Sequence, residues 1–200
     1  MRAELDLRQE HPSFPSAVAG QLATARAKVA DLVVLVDRVL ALTTPKRTAD
    51  EPGELVSLRD VMEDVVRGLP KEQIAKVALP EADAIVRGDS LLLGSLFANA
   101  LVNALESGER VRVDLNVADG VAAVTIDDDG PGIDDADWER VFEPFRRDDG
   151  AIRRRKPGHG LGLALVRHIA QVHGGSAFFR PRSGSGASLR VLLPELNASS

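Results

Sequence analysis

Cysteine is absent from the 200 residues of this chain. The absence excludes a disulfide framework, a thiolate zinc site and a cysteine nucleophile. It is compatible with a reducing compartment, and stability must come from packing alone. With 44% hydrophobic and 28% charged residues, the chain is long enough for one globular domain with a core and one appended element. This composition excludes the disordered and fibrous classes.

Long hydrophobic runs are also missing. Charged residues interrupt the apolar stretch 29–42, and Asn99 and Asn103 interrupt the stretch 91–105. Since a membrane-spanning helix needs about 20 predominantly apolar residues, we expect neither stretch to cross a bilayer. The N-terminus lacks the basic-then-apolar layout of a secretory signal. The sequence therefore predicts a cytoplasmic chain that makes no membrane contact.

An excess of basic charge is lacking as well, because 25 basic residues face 30 acidic ones, a formal net charge of −5. This balance argues against a general affinity for nucleic acid or for an anionic membrane. We therefore expect no nucleic-acid partner, and specific partners must be sought in local sites.

The apolar pattern divides the chain in two. In the stretch 16–42, apolar residues recur at three- and four-residue steps, which predicts one long helix with a wide apolar stripe, as in a helix bundle. The stretch 43–53, with two prolines, a glycine and mixed charges, is typical of a linker. We expect a helical region with its linker at 1–50 and a second domain at 51–200.

The second domain has the pattern of an α+β fold. Ser57 and Asp89 are suited to cap helices, and Asp119-Gly120 is suited to turn a hairpin. Strands joined by hairpins and alternating with helices predict a two-layer α/β sandwich with helices on one face. The predicted helices cover 58–68, 90–105, 134–141 and a last helix that the glycine motif 158–163 opens and that runs to 173. The predicted strands cover 76–79, 84–87, 110–117, 121–127, 176–180 and 187–193.

Two asparagines one turn apart are the first candidate site. Asn99 and Asn103 fall opposite the apolar stripe of the helix 90–105, together with Glu106, on a face expected to be free for solvent. Amide oxygens suit Mg²⁺, which keeps most of its waters and takes phosphate oxygens as its other ligands. A plain polar stripe on the helix is the alternative.

A glycine turn after a strand is the second candidate. Asp128 follows the strand 121–127, and Gly130 and Gly132 allow a flat ligand to approach the backbone. A carboxylate there can accept a hydrogen bond from an exocyclic amine such as that of adenine. The alternative is a solvated acidic turn.

Three alternating glycines before a helix are the third candidate. Gly158, Gly160 and Gly162 would present backbone N–H groups and the positive end of a helix dipole to a phosphate. Their spacing differs from a P-loop and from a dinucleotide fingerprint. The stretch 146–156 just before them holds six basic and two acidic residues, which favours a mobile lid over a triphosphate or, alternatively, a solvated charged loop.

These motifs, in this order, resemble the ATP-binding catalytic domain of sensor histidine kinases, which belong to an ATPase superfamily shared with DNA gyrase and MutL. The stretches 99–104, 128–133, 141–147 and 158–163 resemble the N-box, the first glycine box, the F-box and the second glycine box. The resemblance extends over about 55–195, and it is specific because the four motifs occur together. It implies binding of ATP and Mg²⁺ and transfer of the ATP γ-phosphate to a histidine.

The resemblance also implies residue roles. Asn103 would hold the magnesium ion and Asn99 would help to position the phosphates, while Asp128 would bind the adenine amino group in the turn shaped by Gly130 and Gly132. Arg147 would reach the terminal phosphate as the catalytic arginine. The phosphates would be cradled by the second glycine box, which comprises Gly158, Gly160, Leu161, Gly162 and Leu163.

Two departures from this family pattern keep alternatives open. Glu106 stands where many members carry a basic residue, and 1–50 resembles only part of the dimerising hairpin, with no recognisable phosphoacceptor histidine. The expected partners are ATP, a response regulator or a histidine-bearing protein, and a second copy through the helix 16–42. The first alternative is a non-catalytic nucleotide-sensing or scaffold protein. A serine kinase of the anti-sigma type is weaker, because those proteins lack the long first helix.

Overall fold

The computed structural model describes residues 53–145, 160–182 and 184–196. Several predictions lie outside these residues: the helix 16–42, the linker up to residue 52, the basic stretch 146–156, Arg147 and Gly158. The described residues form one α/β domain, whose helices and strands follow.

The domain contains seven strands and four α-helices within the described residues. The strands are β1 (Glu54–Ser57), β2 (Val77–Ala78), β3 (Ile85–Gly88), β4 (Val111–Ala118), β5 (Val121–Asp128), β6 (Ser176–Phe179) and β7 (Ser188–Pro194). The helices are α1 (Leu58–Arg67), α2 (Lys71–Ile74), α3 (Ser90–Ser107) and α4 (Gly162–Val172). Strands β1 and β3 form a small antiparallel pair, and the main sheet has the order β2-β4-β5-β7-β6. Its neighbours are antiparallel except for the parallel pair β2 and β4.

The hairpin at the centre of the main sheet forms as its sequence predicts. Asp119 and Gly120 both have positive φ, 52° and 70°, which is the conformation of a two-residue turn with the twist of the strands it joins. Strand β4 buries Val111, Val113 and Leu115 in alternation, and β5 continues the same row with Ala122, Val124 and Ile126 facing the helices. Asp128 is the next residue of that row, so the alternation directs its carboxylate toward the helical layer.

The helices pack on one face of the sheet and confirm the two-layer fold. The predicted caps are present: Ser57 accepts a hydrogen bond from the Asp60 N–H, and Asp89 accepts from the N–H groups of Leu91 and Leu92. Helix α3 contacts α1, α4 and the sheet, with Phe97 fully buried. By length and composition alone α3 could cross a membrane, contrary to the expectation drawn from its two asparagines. Its apolar face is buried in this domain, as in the core helix of a compact fold.

Two local predictions are wrong. The stretch 134–141 is not an α-helix but two short 3-10 turns, Asp135–Asp137 and Arg140–Phe142. The Trp138 indole N–H donates to the Ile133 carbonyl at 3.1 Å, and Phe142 is buried against Phe179 with ring centroids 5.5 Å apart. The first contact is local and the second joins segments distant in sequence, and both accompany a backbone that departs from the predicted helix. Strand β1 was not predicted either, because only its pairing with β3 makes this segment extended.

Candidate nucleotide site

The glycine box begins with a buried carboxylate. Asp128 ends β5 and is only 4% exposed, so the alternative of a solvated acidic turn is wrong. Its Oδ1 accepts hydrogen bonds from the Gly130 N–H at 2.8 Å and from the Ala187 N–H at 3.3 Å. The Asp128 N–H in turn donates to the Ala187 carbonyl at 3.1 Å. Both donors use Oδ1, which leaves Oδ2 as the acceptor for a ligand.

Burial and hydrogen bonding oppose each other at this carboxylate. Burial raises the pKa of Asp128 above its usual value, while the N–H groups of Gly130 and Ala187 and the guanidinium of Arg182 act in the opposite direction. The neighbouring Asp129 differs, because its pKa is lowered, first by the Arg110 N–H and also by the Glu109 N–H. The Asp129 Oδ1 accepts from these two N–H groups at 2.9 and 2.7 Å, which ties the glycine box to the loop after α3.

The glycines of the box are required because other backbone segments lie too close to leave room for a side chain. A Cβ on Gly130 would lie 2.6 Å from the Ser107 carbonyl oxygen at the end of α3 and 2.8 Å from Asp128 Oδ1. Gly132 has φ of +84°, and a Cβ there would lie 3.0 Å from the Gly186 carbonyl oxygen in the turn between β6 and β7. The glycine box is therefore wedged between the end of α3 and this second turn.

The two asparagines differ in their surroundings. Asn99 is 9% exposed, so the prediction of a solvent-facing position is wrong for this residue. Its Nδ2 donates to the Ser95 carbonyl at 2.7 Å, and a Cβ on Gly162 would lie 3.4 Å from its Oδ1. The first residue of α4 thus covers Asn99. Asn103 is half-buried, and Glu106 is exposed as expected.

The second glycine box leads directly into α4. Gly160 has φ of +67°, and its carbonyl accepts a hydrogen bond from the Phe145 N–H at 2.9 Å. Leu161 is fully buried and occupies the N-cap position, where it provides no side-chain acceptor for the first N–H groups of α4. These N–H groups, from Gly162 and Leu163 onward, lack a side-chain cap and carry the positive end of the helix dipole. Such a helix end can hold an anion.

The F-box is held against α4 by an arginine. Phe142 is buried, and the Arg167 guanidinium carbon lies 3.7 Å from the centre of its ring. The same guanidinium donates to Glu139 at 2.8 Å. This cation–π contact joins the segment before residue 146 to the helix after residue 160.

Magnesium fits the donors present at Asn103. No cluster of three or more histidine, aspartate or glutamate side chains suited to a metal occurs within the described residues. The Asn103 side chain makes no hydrogen bond to another described residue, so its amide oxygen is available. One amide oxygen with waters and two phosphate oxygens is a normal magnesium shell, so this donor set fits the ion only when a nucleotide supplies the rest.

Sequence reasoning missed other residues that shape the site. His173 occupies the C-cap of α4, where it is buried, and its Nε2 accepts from the Asp89 N–H at 3.1 Å. It thereby joins the end of α4 to the start of α3. Arg182 and Ala187 contact Asp128 from the turn between β6 and β7. No local signal marked these two, because they lie more than fifty positions from Asp128 in sequence.

Comparison with protein families decides the assignment. The profile of the histidine kinase-, DNA gyrase B- and HSP90-like ATPases matches residues 88–197. The chain belongs to this family. The match covers the N-box, both glycine boxes and the turn between β6 and β7, so the resemblance inferred from the four motifs is confirmed.

The relatives of this ATPase domain are sensor histidine kinases. The signal transduction histidine-protein kinase BaeS of Escherichia coli is 30% identical over 181 residues, 86% of this chain and 39% of BaeS. The mycobacterial sensor histidine kinase MprB has a structure with a TM-score of 0.63 at 30% identity, covering 72% of this chain and 97% of that one. Full-length ShkA in complex with AMPPNP, at 22% identity and a TM-score of 0.74, covers 91% of this chain and 40% of ShkA and shares the fold.

This chain spans less than half the length of the curated relatives that it matches, from 20% of the kinase DivJ to 48% of the sensor protein CutS. What the family match establishes is therefore the histidine-kinase type of ATPase domain. The reaction and the partners of the whole protein must be inferred from the chemistry of the site.

Proposed function

We propose that this chain carries the Mg²⁺-ATP-binding catalytic domain of a two-component sensor histidine kinase, which transfers the ATP γ-phosphate to a histidine. The observation that supports it best is the buried Asp128, whose Oδ1 is occupied by two backbone N–H groups and whose Oδ2 remains free for a ligand. No described residue donates to Oδ2, so this oxygen can accept a hydrogen bond from a ligand amine without the loss of a bond made on folding.

The adenine end of the proposed site consists of Asp128 and the turn made by Gly130 and Gly132. The Asp128 Oδ2 accepts a hydrogen bond from the adenine amino group, and this bond distinguishes adenine from guanine, which presents an oxygen at that place. The two glycines leave room for the flat base beside the backbone.

The phosphate end consists of the two asparagines and the second glycine box. Asn103 holds Mg²⁺, which neutralises phosphate charge, and Asn99 orients the phosphates. The phosphates are seated by Gly158, Gly160, Leu161, Gly162 and Leu163, whose N–H groups open α4. Arg147 is the proposed catalytic residue, and its positive charge interacts with the terminal phosphate. In the transfer, a histidine nitrogen forms a bond to the γ-phosphorus, the bond to the bridging oxygen breaks, and ADP leaves with that electron pair.

The proposed domain layout assigns 1–50 to a partial dimerisation and phosphotransfer-like region with its linker, and 51–200 to the catalytic domain. The acceptor histidine is supplied by a histidine-bearing partner or by a second copy of the protein, and a response regulator receives the phosphate. All these steps are proposed for the cytoplasm, where ATP is available.

A non-catalytic nucleotide sensor is the competing function. Glu106 is exposed on the same helix as Asn99 and Asn103, and a carboxylate there weakens the attraction of phosphates. This alternative retains ATP binding and loses phosphotransfer, so one assay separates the two functions.

The deciding experiment follows phosphate labelled at the γ-position of ATP. The chain, Mg²⁺ and labelled ATP are incubated with a separately expressed helical hairpin that bears a histidine followed by an acidic residue. Acid-labile and base-stable label on the hairpin supports the kinase, and a hairpin with glutamine in place of the histidine is the matched control. Absence of label, with binding of a non-hydrolysable ATP analogue intact, would establish the sensor alternative.

A further inference from the structure

The turn between β6 and β7 contacts Asp128 as well as the glycine box. From this turn, Arg182 Nη1 donates a hydrogen bond to the Asp128 carbonyl oxygen. Its Nε lies 4.0 Å from Asp127 Oδ2. One guanidinium therefore reaches the main chain of Asp128 and the side chain of the residue before it. This contact spans 54 positions of sequence.

The turn is shaped to permit this approach. Gly186 has φ of +104°, and a Cβ there would lie 1.8 Å from the Asp128 carbonyl oxygen and 2.5 Å from Arg182 Nη1. Only glycine leaves room for the guanidinium at this place. At the next residue, the Ala187 carbonyl accepts a hydrogen bond from the Asp128 N–H, and the Ala187 N–H donates to the Asp128 carboxylate. The turn thus holds both the main chain and the side chain of Asp128.

The charges around Asp128 give Arg182 a second effect. Asp129 follows Asp128 on the same segment and repels its negative charge, which raises the pKa of Asp128. The carboxylate of Asp129 is already bound by the two N–H groups of the loop after α3 and by the Arg110 guanidinium at 3.2 Å. Among the described residues, Arg182 is the cation that lowers the pKa of Asp128.

Other cations nearby have partners of their own. A cavity of about 420 Å³ on this side of the sheet is lined by Arg182 and also by Lys76, Arg110 and Arg112. Lys76 pairs with Glu109 at 3.0 Å, and Arg112 pairs with Asp114 at 2.9 Å. These contacts direct the other cations away from Asp128, so Arg182 is not interchangeable with them.

We infer that Arg182 is a positioning residue for adenine recognition: from the turn between β6 and β7 its guanidinium binds the Asp128 main-chain carbonyl and so holds the carboxylate in position for the base. The inference rests on the proposed function, because it needs Asp128 to bind adenine. Arg182 itself contacts no part of the nucleotide in this assignment. It acts through Asp128 alone.

The test compares affinities for ATP and GTP by calorimetric titration of the whole chain. Arg182→Ala is expected to weaken ATP binding roughly tenfold, because the hydrogen bond to a displaced carboxylate is largely lost. GTP binding is expected to change little, since guanine has no amino group at that place. A merely structural defect would weaken both nucleotides alike, so the ATP-to-GTP ratio is the diagnostic quantity.

The pH profile and a conservative variant give independent readouts. Without Arg182 the pKa of Asp128 rises further, so the loss of ATP affinity on acidification begins at a higher pH than in the parent chain. Arg182→Lys keeps the positive charge without the planar fork, and it is expected to restore the pH profile and part of the affinity. Arg180→Ala is the matched control, because Arg180 lies in the same turn and its Nε donates to Ser188 Oγ at 3.1 Å.

The outcomes separate the inference from the proposed function. An unchanged ATP-to-GTP ratio in Arg182→Ala, with Asp128→Asn losing ATP selectivity, overturns the role of Arg182 and leaves the adenine site intact. If Asp128→Asn retains full ATP selectivity, or the parent chain binds no ATP, the adenine site itself is overturned and this inference with it. If Arg182→Ala does not fold, the ATP-to-GTP affinity ratio of Arg182→Lys decides instead. A lower ratio than that of the parent chain supports the role of the guanidinium, and an equal ratio contradicts it.

Discussion

The two ends of the proposed nucleotide site are built in different ways. At the adenine end, Asp128 is fixed by backbone N–H groups of the glycine box and of the turn between β6 and β7, with Arg182 against its carbonyl. At the phosphate end, the Asn103 side chain makes no hydrogen bond to a described residue, and the first turn of α4 lacks a side-chain cap. Hydrogen bonds formed on folding fix the position of Asp128 and leave its Oδ2 for the ligand, whereas at the second end the amide and the helix N–H groups are not fixed by other side chains.

Burial explains this difference. A carboxylate as deeply buried as Asp128 must be hydrogen-bonded in the folded protein, because an unpaired buried charge is very costly. A half-buried amide and a helix N-terminus can exchange hydrogen bonds with water at little cost until an anion displaces that water. Substitutions that disturb the packing around Asp128 should therefore damage both stability and binding, whereas those at the phosphate end should damage binding alone.

The largest effect is expected at Gly186. In Gly186→Ala the new Cβ would lie 1.8 Å from the Asp128 carbonyl oxygen, so the turn must move away from β5. We expect a loss of about 2–4 kcal/mol in the free energy of unfolding, from chemical denaturation, because overpacking adds to backbone strain at positive φ. ATP affinity, from calorimetric titration, should fall with it as Asp128 loses its donors.

Gly184→Ala is the matched control for that substitution. Gly184 also has a positive φ, +98°, but a Cβ there meets nothing within 4 Å. It should cost only the backbone strain, about 1–2 kcal/mol, and leave ATP affinity unchanged. Equal losses in the two variants would show that close packing against Asp128 does not matter.

An intermediate effect, confined to binding, is expected at Asn103. Asn103→Ala removes the amide oxygen proposed to hold Mg²⁺, so affinity measured with Mg²⁺ should fall roughly tenfold, to the value measured without the ion. The melting temperature should stay within about 2 °C, because the side chain is half-buried and makes no hydrogen bond to a described residue. Asn116→Ala, at an exposed position of β4, is the control that should change neither quantity. A large loss of stability in Asn103→Ala would show that Asn103 contributes to folding as the residues around Asp128 do, contrary to this account.

The smallest effect is expected at Gly162. A Cβ there would lie 3.4 Å from Asn99 Oδ1, an ordinary contact, and the residue opens α4. Gly162→Ala should leave the free energy of unfolding unchanged or raise it by up to about 0.5 kcal/mol, because alanine favours a helix more than glycine does. Chemical denaturation of Gly162→Ala and of Gly186→Ala, each against the parent chain, measures the difference in their free energies of unfolding. A destabilisation as large as that of Gly186→Ala would remove the distinction between the two ends.

Local patterns predicted much of the fold. The central hairpin followed from Asp119-Gly120 and from strict alternation in β4, and α3 followed from the Asp89 cap and its apolar stripe. Such features depend on neighbours in sequence, which the chain alone provides. Asp128 could also have been placed inside, because it continues the inward row of β5.

Features that depend on distant segments could not be predicted. Asn99 is covered because α4 packs over it, although its own helix places it opposite the main apolar stripe. The bracing of Asp128 by Arg182 requires β7 to pair with β5, a register that no local pattern in the turn specifies. The backbone that replaces the helix predicted at 134–141 likewise accompanies a contact between segments distant in sequence, that of Phe142 with Phe179.

The most direct measurement is a calorimetric titration with a non-hydrolysable ATP analogue, with and without Mg²⁺, on the parent chain and on Asp128→Asn. The parent chain should bind the analogue more tightly with Mg²⁺ than without it. Asp128→Asn should fold at least as stably, since burial raises the pKa of Asp128 and so disfavours its charged form, yet it should bind at least tenfold more weakly under both conditions. Equal binding by the two proteins, or no binding by the parent chain, would contradict the assignment of Asp128 as the adenine-recognising carboxylate.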